Sequence, residues 1–92
     1  MDPKITGMSD IKLYGAARSH KTQLYLDYLR ENELDFEFLD VEEDEAAATE
    51  LRSLYETGRL NFPTFMLKDK KLRNPSMIDL EKWMGKKDIK KP

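Results

Sequence analysis

Five side chains capable of chemistry stand together at Arg18-Ser19-His20-Lys21-Thr22, directly after the segment Leu13-Tyr14-Gly15-Ala16-Ala17. Two hydroxyls, one imidazole and two cations could hold an anion or move a proton. None is a strong nucleophile alone, because a hydroxyl needs a neighbouring base to activate it. His20 has no carboxylate beside it in sequence to orient it as that base. The chain has no cysteine, which removes disulfides, thiolate-bound metals and thiol nucleophiles. It has one histidine, so a metal site would need carboxylates gathered around His20, and no spacing suggests that.

The setting of these residues is set by the periodicities on either side. Ile11 to Tyr14 reads as a short strand running into the Gly-Ala-Ala loop. From Ser19 to Asn32, apolar residues at Leu24, Tyr25, Tyr28 and Leu29 predict a helix with one packed stripe. Leu34 to Val41 alternates Phe36 and Phe38 with Asp35 and Glu37, the pattern of a second strand. The acidic run Glu42 to Glu45 suits a helix start, where the N-terminus carries partial positive charge. As a solvated helix start it needs no partner; the alternative is a docking patch. Ala47, Leu51, Leu54 and Tyr55 would line that helix, with Gly58 as its stop.

Phe62 to Leu67 and Lys70 to Leu72 form a predicted hairpin, turning at Lys68-Asp69. A last helix is expected with Asn74 as N-cap and Pro75 at its first position. Met77, Leu80 and Met84 would share its inner face with Trp83 near, and Gly85 would end it. Residues 1–9 read as a leader, 10–85 as one domain and 86–92 as a basic tail. The order is β-α-β-α-β-β-α, an α/β fold with a mixed four-stranded sheet and helices on both faces.

Composition narrows the function classes. With 92 residues, 39% hydrophobic and 37% charged, the chain is sized for one globular domain. A formal charge of −2 argues against nucleic acid as its partner. No apolar run long enough to span a membrane and no signal peptide is present, so the expectation is a cytoplasmic protein with no membrane partner.

The element order and three local stretches resemble the glutaredoxin family of the thioredoxin fold. Ile11-Lys12-Leu13-Tyr14-Gly15 is similar to the family's first strand and loop, and the stretch from Asp35 to Ala47 to its second strand and acidic helix start. Asn61-Phe62-Pro63-Thr64-Phe65 is similar to the segment that carries its cis-proline, here Pro63. The resemblance puts the CxxC motif at Ser19-His20-Lys21-Thr22. Ser19 then stands where the family has its nucleophile and Thr22 where it has the resolving cysteine. A serine hydroxyl is far too weak an acid to replace a thiolate in disulfide exchange. The family's glutathione-holding Gly-Gly-x-Asp segment corresponds to Arg73-Asn74-Pro75-Ser76, without those glycines and that carboxylate. More distantly, the chain resembles the N-terminal domain of glutathione transferases. There Ser19 would hydrogen-bond the glutathione thiolate and Ser76 would receive the glutamyl group.

Each residue keeps a plain reading beside the functional one. Ser19 is first an N-cap, contributing about 1 kcal/mol. It is alternatively a thiol contact, or the substitute for a catalytic cysteine or selenocysteine in a thiol or selenol oxidoreductase. Arg18, His20 and Lys21 ring a helix N-terminus and could hold a carboxylate or phosphate; the plain reading is an exposed, soluble loop. Phe62, ahead of Pro63, would offer its backbone to an extended peptide as the resemblance implies. The expected ligands are therefore glutathione or an extended peptide or protein, with no metal. The function expected is a non-redox binding module, or else a glutathione-dependent enzyme using Ser19.

Overall fold

The computed structural model describes residues 10–86, and the expected leader and all but the first residue of the expected basic tail lie outside them. The elements are β1 (Ile11–Gly15), α1 (His20–Glu31), β2 (Glu37–Asp40), α2 (Glu45–Ser53), β3 (Thr64–Leu67), β4 (Lys70–Arg73) and α3 (Met77–Lys86). They form one four-stranded sheet in the order β2-β1-β3-β4. β1 runs parallel to β2 and antiparallel to β3, and β3 and β4 are an antiparallel hairpin.

Alternation along the strands sends side chains to two separate cores. Ile11 and Leu13 of β1, with Phe65 and Leu67 of β3, pack against Tyr25, Leu26 and Leu29 of α1 and Leu80 and Met84 of α3. Tyr14, from the opposite face of β1, packs with Val41 and with Ala47, Ala48 and Leu51 of α2. Helices therefore cover both faces of the sheet. Within the larger core, the Tyr25 and Phe65 rings meet edge to face with centroids 4.9 Å apart.

Several boundaries differ from those expected. The buried stripe of α1 is Thr22, Tyr25, Leu26 and Leu29, the spacing of one helical face, while Leu24 is exposed. β2 is shorter than Leu34–Val41, although Phe36 and Phe38 do pack against the larger core. Helix α2 ends at Ser53, well before Gly58. The Ser53 hydroxyl donates to the Glu50 carbonyl, and the Leu54 and Tyr55 N–H groups take i−3 carbonyls, which tightens the chain out of α-geometry. Gly58, at φ 69°, instead closes a separate turn onto the Tyr55 carbonyl.

Asn74 does not cap α3. It sits at φ 49°, a left-handed position that asparagine tolerates, and its N–H donates to the Pro63 carbonyl. Ser76 takes the cap: its hydroxyl accepts from Asp79 N–H at 3.1 Å and its carbonyl from Leu80 N–H at 2.8 Å. Pro75 thus precedes the cap, and its carbonyl accepts a hydrogen bond from the buried Tyr25 hydroxyl. Met77 is 36% exposed, so it lies outside the face that Leu80 and Met84 bury. Gly85 falls inside α3 and does not end it.

Candidate functional site

The end of β1 brings the five sequence-selected residues to one corner of the sheet. Ser19 is the N-cap of α1, with extended backbone, and its Oγ accepts from Thr22 N–H at 3.4 Å. The Ser19 N–H donates to the Ala16 carbonyl and the Gln23 N–H to the Ser19 carbonyl. Among the described residues, the N–H groups of His20 and Lys21 have no hydrogen-bond partner. They are the unpaired donors that a helix start leaves pointing along its axis.

Thr22 has a role beyond that of an ordinary helix residue. It is fully buried, and its Oγ1 accepts from the Ala16 N–H at 3.3 Å. A Cβ built on Gly15 would come within 2.6 Å of that Oγ1 and 2.9 Å of Thr22 Cγ2. Gly15 is thus the residue that lets the helix start press against the end of β1. The position expected for a resolving cysteine holds a packing and hydrogen-bonding peg.

Arg18 is committed elsewhere. Its guanidinium makes two hydrogen bonds of 2.7 Å to the Glu42 carboxylate, which raises the Arg18 pKa further above its ordinary value. The same acidic loop reaches back a second time, through Ala17 N–H to Asp40 Oδ2 at 3.2 Å. The run Glu42–Glu45 is more than the solvated helix start expected from its composition. Asp44 does cap α2, accepting from the Ala46 and Ala47 N–H groups, yet Glu42 is a clamp on the β1–α1 loop. Only the parallel β1–β2 pairing brings the two loops together, so no local pattern could have signalled it. His20 and Lys21 are exposed, and the Lys21 ammonium lies 5.8 Å from the Tyr25 ring centroid.

Phe62 and Pro63 lie at the same corner. Thr64, the first residue of β3, is paired with Tyr14, so Pro63 and Phe62 enter that strand beside the end of β1. The Phe62–Pro63 peptide bond is cis and Pro63 is buried. Among the described residues, no hydrogen bond involves the backbone of Phe62. The segment is held from behind by Thr64, whose buried hydroxyl donates to the Asn61 carbonyl at 2.6 Å and meets Tyr55 Oη at 2.8 Å. The Ser76 hydroxyl is taken up by the α3 cap.

A second polar cluster, on the α2 face, escaped the sequence reading. Tyr14 Oη donates to Glu50 Oε2 at 2.7 Å and Lys12 Nζ lies 3.3 Å from the same oxygen. Burial, then the hydrogen bond and charge of Glu50, then the charge of Glu37, push the Tyr14 hydroxyl well above its usual pKa. Lys12, Tyr14 and Glu50 line an open cavity of about 140 Å³ with Leu54 and Met66. Among the described residues, no group of three or more histidines and carboxylates is placed to hold a metal ion. No helix among them is long and apolar enough to cross a membrane.

No protein-family model and no curated protein sequence matches the chain. Solved structures do. A point mutant of the thioredoxin-like protein BC3987 superposes with a TM-score of 0.66 at 23% identity, covering 90% of this chain and all of that one. Unmutated BC3987 gives 0.66 at 22% identity over 78% of this chain and 96% of its own. A glutaredoxin from Archaeoglobus fulgidus gives 0.68 at 19% identity over 83% and 86%. The fold is therefore the α/β thioredoxin-like fold.

Proposed function

We propose that this chain is a glutaredoxin-like binding module that works without thiol chemistry, holding glutathione or an extended peptide across the start of α1 and the Phe62–Pro63 segment. The observation that carries the reading is one corner where, among the described residues, two sets of backbone groups have no hydrogen-bond partner. His20 and Lys21 offer N–H donors at a helix N-terminus, and Phe62 offers a donor and an acceptor. Helix-start donors favour a carboxylate, and free backbone at the entry to a strand favours an extended ligand. With no cysteine in the sequence, neither Ser19 nor Thr22 can form the mixed disulfide that oxidoreductases of this fold use. The reading keeps the cytosol as its compartment.

A second reading, a glutathione-dependent enzyme, is favoured by one detail. Ser19 Oγ acts only as an acceptor among the described residues, so its hydroxyl proton is free to donate to a thiolate. Titrating glutathione and following backbone amide shifts, on this protein and on Ser19→Cys, separates the possibilities. Saturable shifts at 18–21 and 61–64 support the module. If the protein also accelerates glutathione addition to an electrophile, and Ser19→Ala abolishes that, the enzyme reading replaces it. If Ser19→Cys reduces a glutathione mixed disulfide, the scaffold is that of an oxidoreductase whose nucleophile is replaced by serine. No shifts at millimolar glutathione, and none with extended peptides, would refute the proposal.

A further inference from the structure

β4 is an edge strand, and its free side is basic in a chain whose net charge is negative. Lys70 is opposite Leu67 across a two-residue turn, and further on Asn74 N–H donates to the Pro63 carbonyl. In an antiparallel pair, inward and outward backbone groups alternate along the strand. Lys70, Leu72 and Asn74 therefore turn their backbone groups toward β3. Lys71 and Arg73 turn theirs out to the open edge.

Lysines on an edge strand commonly keep other strands away, by carrying charge past the edge. Here both ammonium groups are drawn back over the sheet. Lys70 Nζ lies 4.5 Å from the Trp83 ring centroid on the α3 side. Lys71 Nζ lies 4.2 Å from the Tyr55 ring centroid on the α2 side and donates to the Leu54 carbonyl at 2.6 Å. Among the described residues, no further strand pairs with the outward backbone of β4, which is flanked by Lys70 on one face and by Lys71 and the exposed Arg73 on the other. The opposite edge, β2, carries Glu37 and Asp40 and so repels the same ligand.

We propose that the free edge of β4 takes up an extended acidic segment of a partner protein by strand addition. Hydrogen bonds to the Lys71 and Arg73 backbones would set its register. Carboxylates alternating with apolar residues would face Lys71 and Arg73 on one side or Lys70 on the other. The site is separate from Phe62, so its failure and that of the glutathione or peptide corner are distinguishable.

The test is a titration with a short synthetic peptide of alternating Glu and Val, compared with its Gln-Val analogue. Amide shifts and hydrogen exchange are read on the whole chain. The expected result is saturable shifts at 70–73, slowed exchange of the Lys71 and Arg73 amides, weakening with salt, and weaker binding of the Gln peptide. Lys71→Pro deletes an outward N–H that β3 does not use, and weakens binding about tenfold or more, while Lys71→Gln weakens it less. If Lys71→Pro does not fold, the triple change Lys70→Gln, Lys71→Gln, Arg73→Gln replaces it and abolishes the preference for the Glu peptide. Shifts confined to the Phe62 corner, or equal binding of both peptides, overturn the proposal. So does sedimentation showing that the edge is already taken by a second copy.

Discussion

Gly15→Ala tests the contact between the end of β1 and the start of α1. The added Cβ would lie 2.6 Å from Thr22 Oγ1 and 2.9 Å from its Cγ2, and Thr22 is fully buried with its hydroxyl bound to Ala16 N–H. The threonine cannot swing aside without abandoning that bond. Overpacking of this kind costs about 1–3 kcal/mol, from which the reduced freedom of the unfolded chain subtracts about 0.4–1. The net expectation is a loss of about 1–2 kcal/mol, read by urea denaturation. For a domain of this size each kcal/mol corresponds to a melting shift of about 4–8 °C.

Thr22→Ala alone orphans the buried Ala16 N–H and removes a packed methyl, costing about 2–4 kcal/mol together. In the Thr22→Ala background, however, the two atoms that the Cβ added at Gly15 would strike are gone. Adding Gly15→Ala there should be neutral or stabilising, so the sign of its effect reverses. In a Thr22→Ser background the 2.6 Å contact with the hydroxyl persists, and the substitution stays unfavourable. A double-mutant cycle that came out additive would refute the reasoning, because it would mean that the two side chains do not compete for one space.

Removing the cap with Ser19→Ala should cost about 0.5–1 kcal/mol in urea denaturation, the low end for an N-cap because its hydrogen bond is long at 3.4 Å. Glu42→Gln should weaken the hold on Arg18 and, if the corner binds glutathione through its carboxylates, tighten that binding in an amide-shift titration. Thr64→Val leaves the half-buried Asn61 carbonyl without its donor and Tyr55 without its partner; a loss of about 1–2 kcal/mol is expected, with faster hydrogen exchange at 61–64. The raised pKa of Tyr14 gives a pH signature. The unfolded chain loses this proton near its ordinary value of about 10 while the folded chain keeps it, so folding is fully favoured below that pH and weakens as pH rises above it, by up to about 1.4 kcal/mol per pH unit. Tyr14→Phe should flatten that alkaline decline, and an unchanged slope would show that other groups, such as Tyr25, carry it.

The order of strands and helices was legible because each element imposes its own period: alternation at Phe36 and Phe38, helical spacing at Tyr25 and Leu29, a turn at Lys68-Asp69. The Ser19 cap was also legible, since a cap is a local bond between neighbours in the chain. Ends of elements were less so. Asn74 and Ser76 both suit a cap, and the choice between them depends on the Asn74 N–H reaching Pro63 and the Tyr25 hydroxyl reaching Pro75. Leu24 and Met77 carry no mark that distinguishes them from buried neighbours; which apolar residue faces inward depends on where the sheet lies.

By itself the sequence determined the chemistry that is impossible here: without a cysteine, no arrangement of this chain supplies a thiolate. It also determined which groups gather at the start of α1. Only the tertiary structure decided how those groups are spent. Arg18 is held by Glu42, Thr22 is packed against Gly15, and among the described residues the N–H groups of His20 and Lys21 and the backbone of Phe62 are left unpaired at one corner. The physical reason is that hydrogen bonds and charge pairs are exclusive. Which donor meets which acceptor is settled by strand pairing between residues far apart in the chain, and local spacing has no access to it.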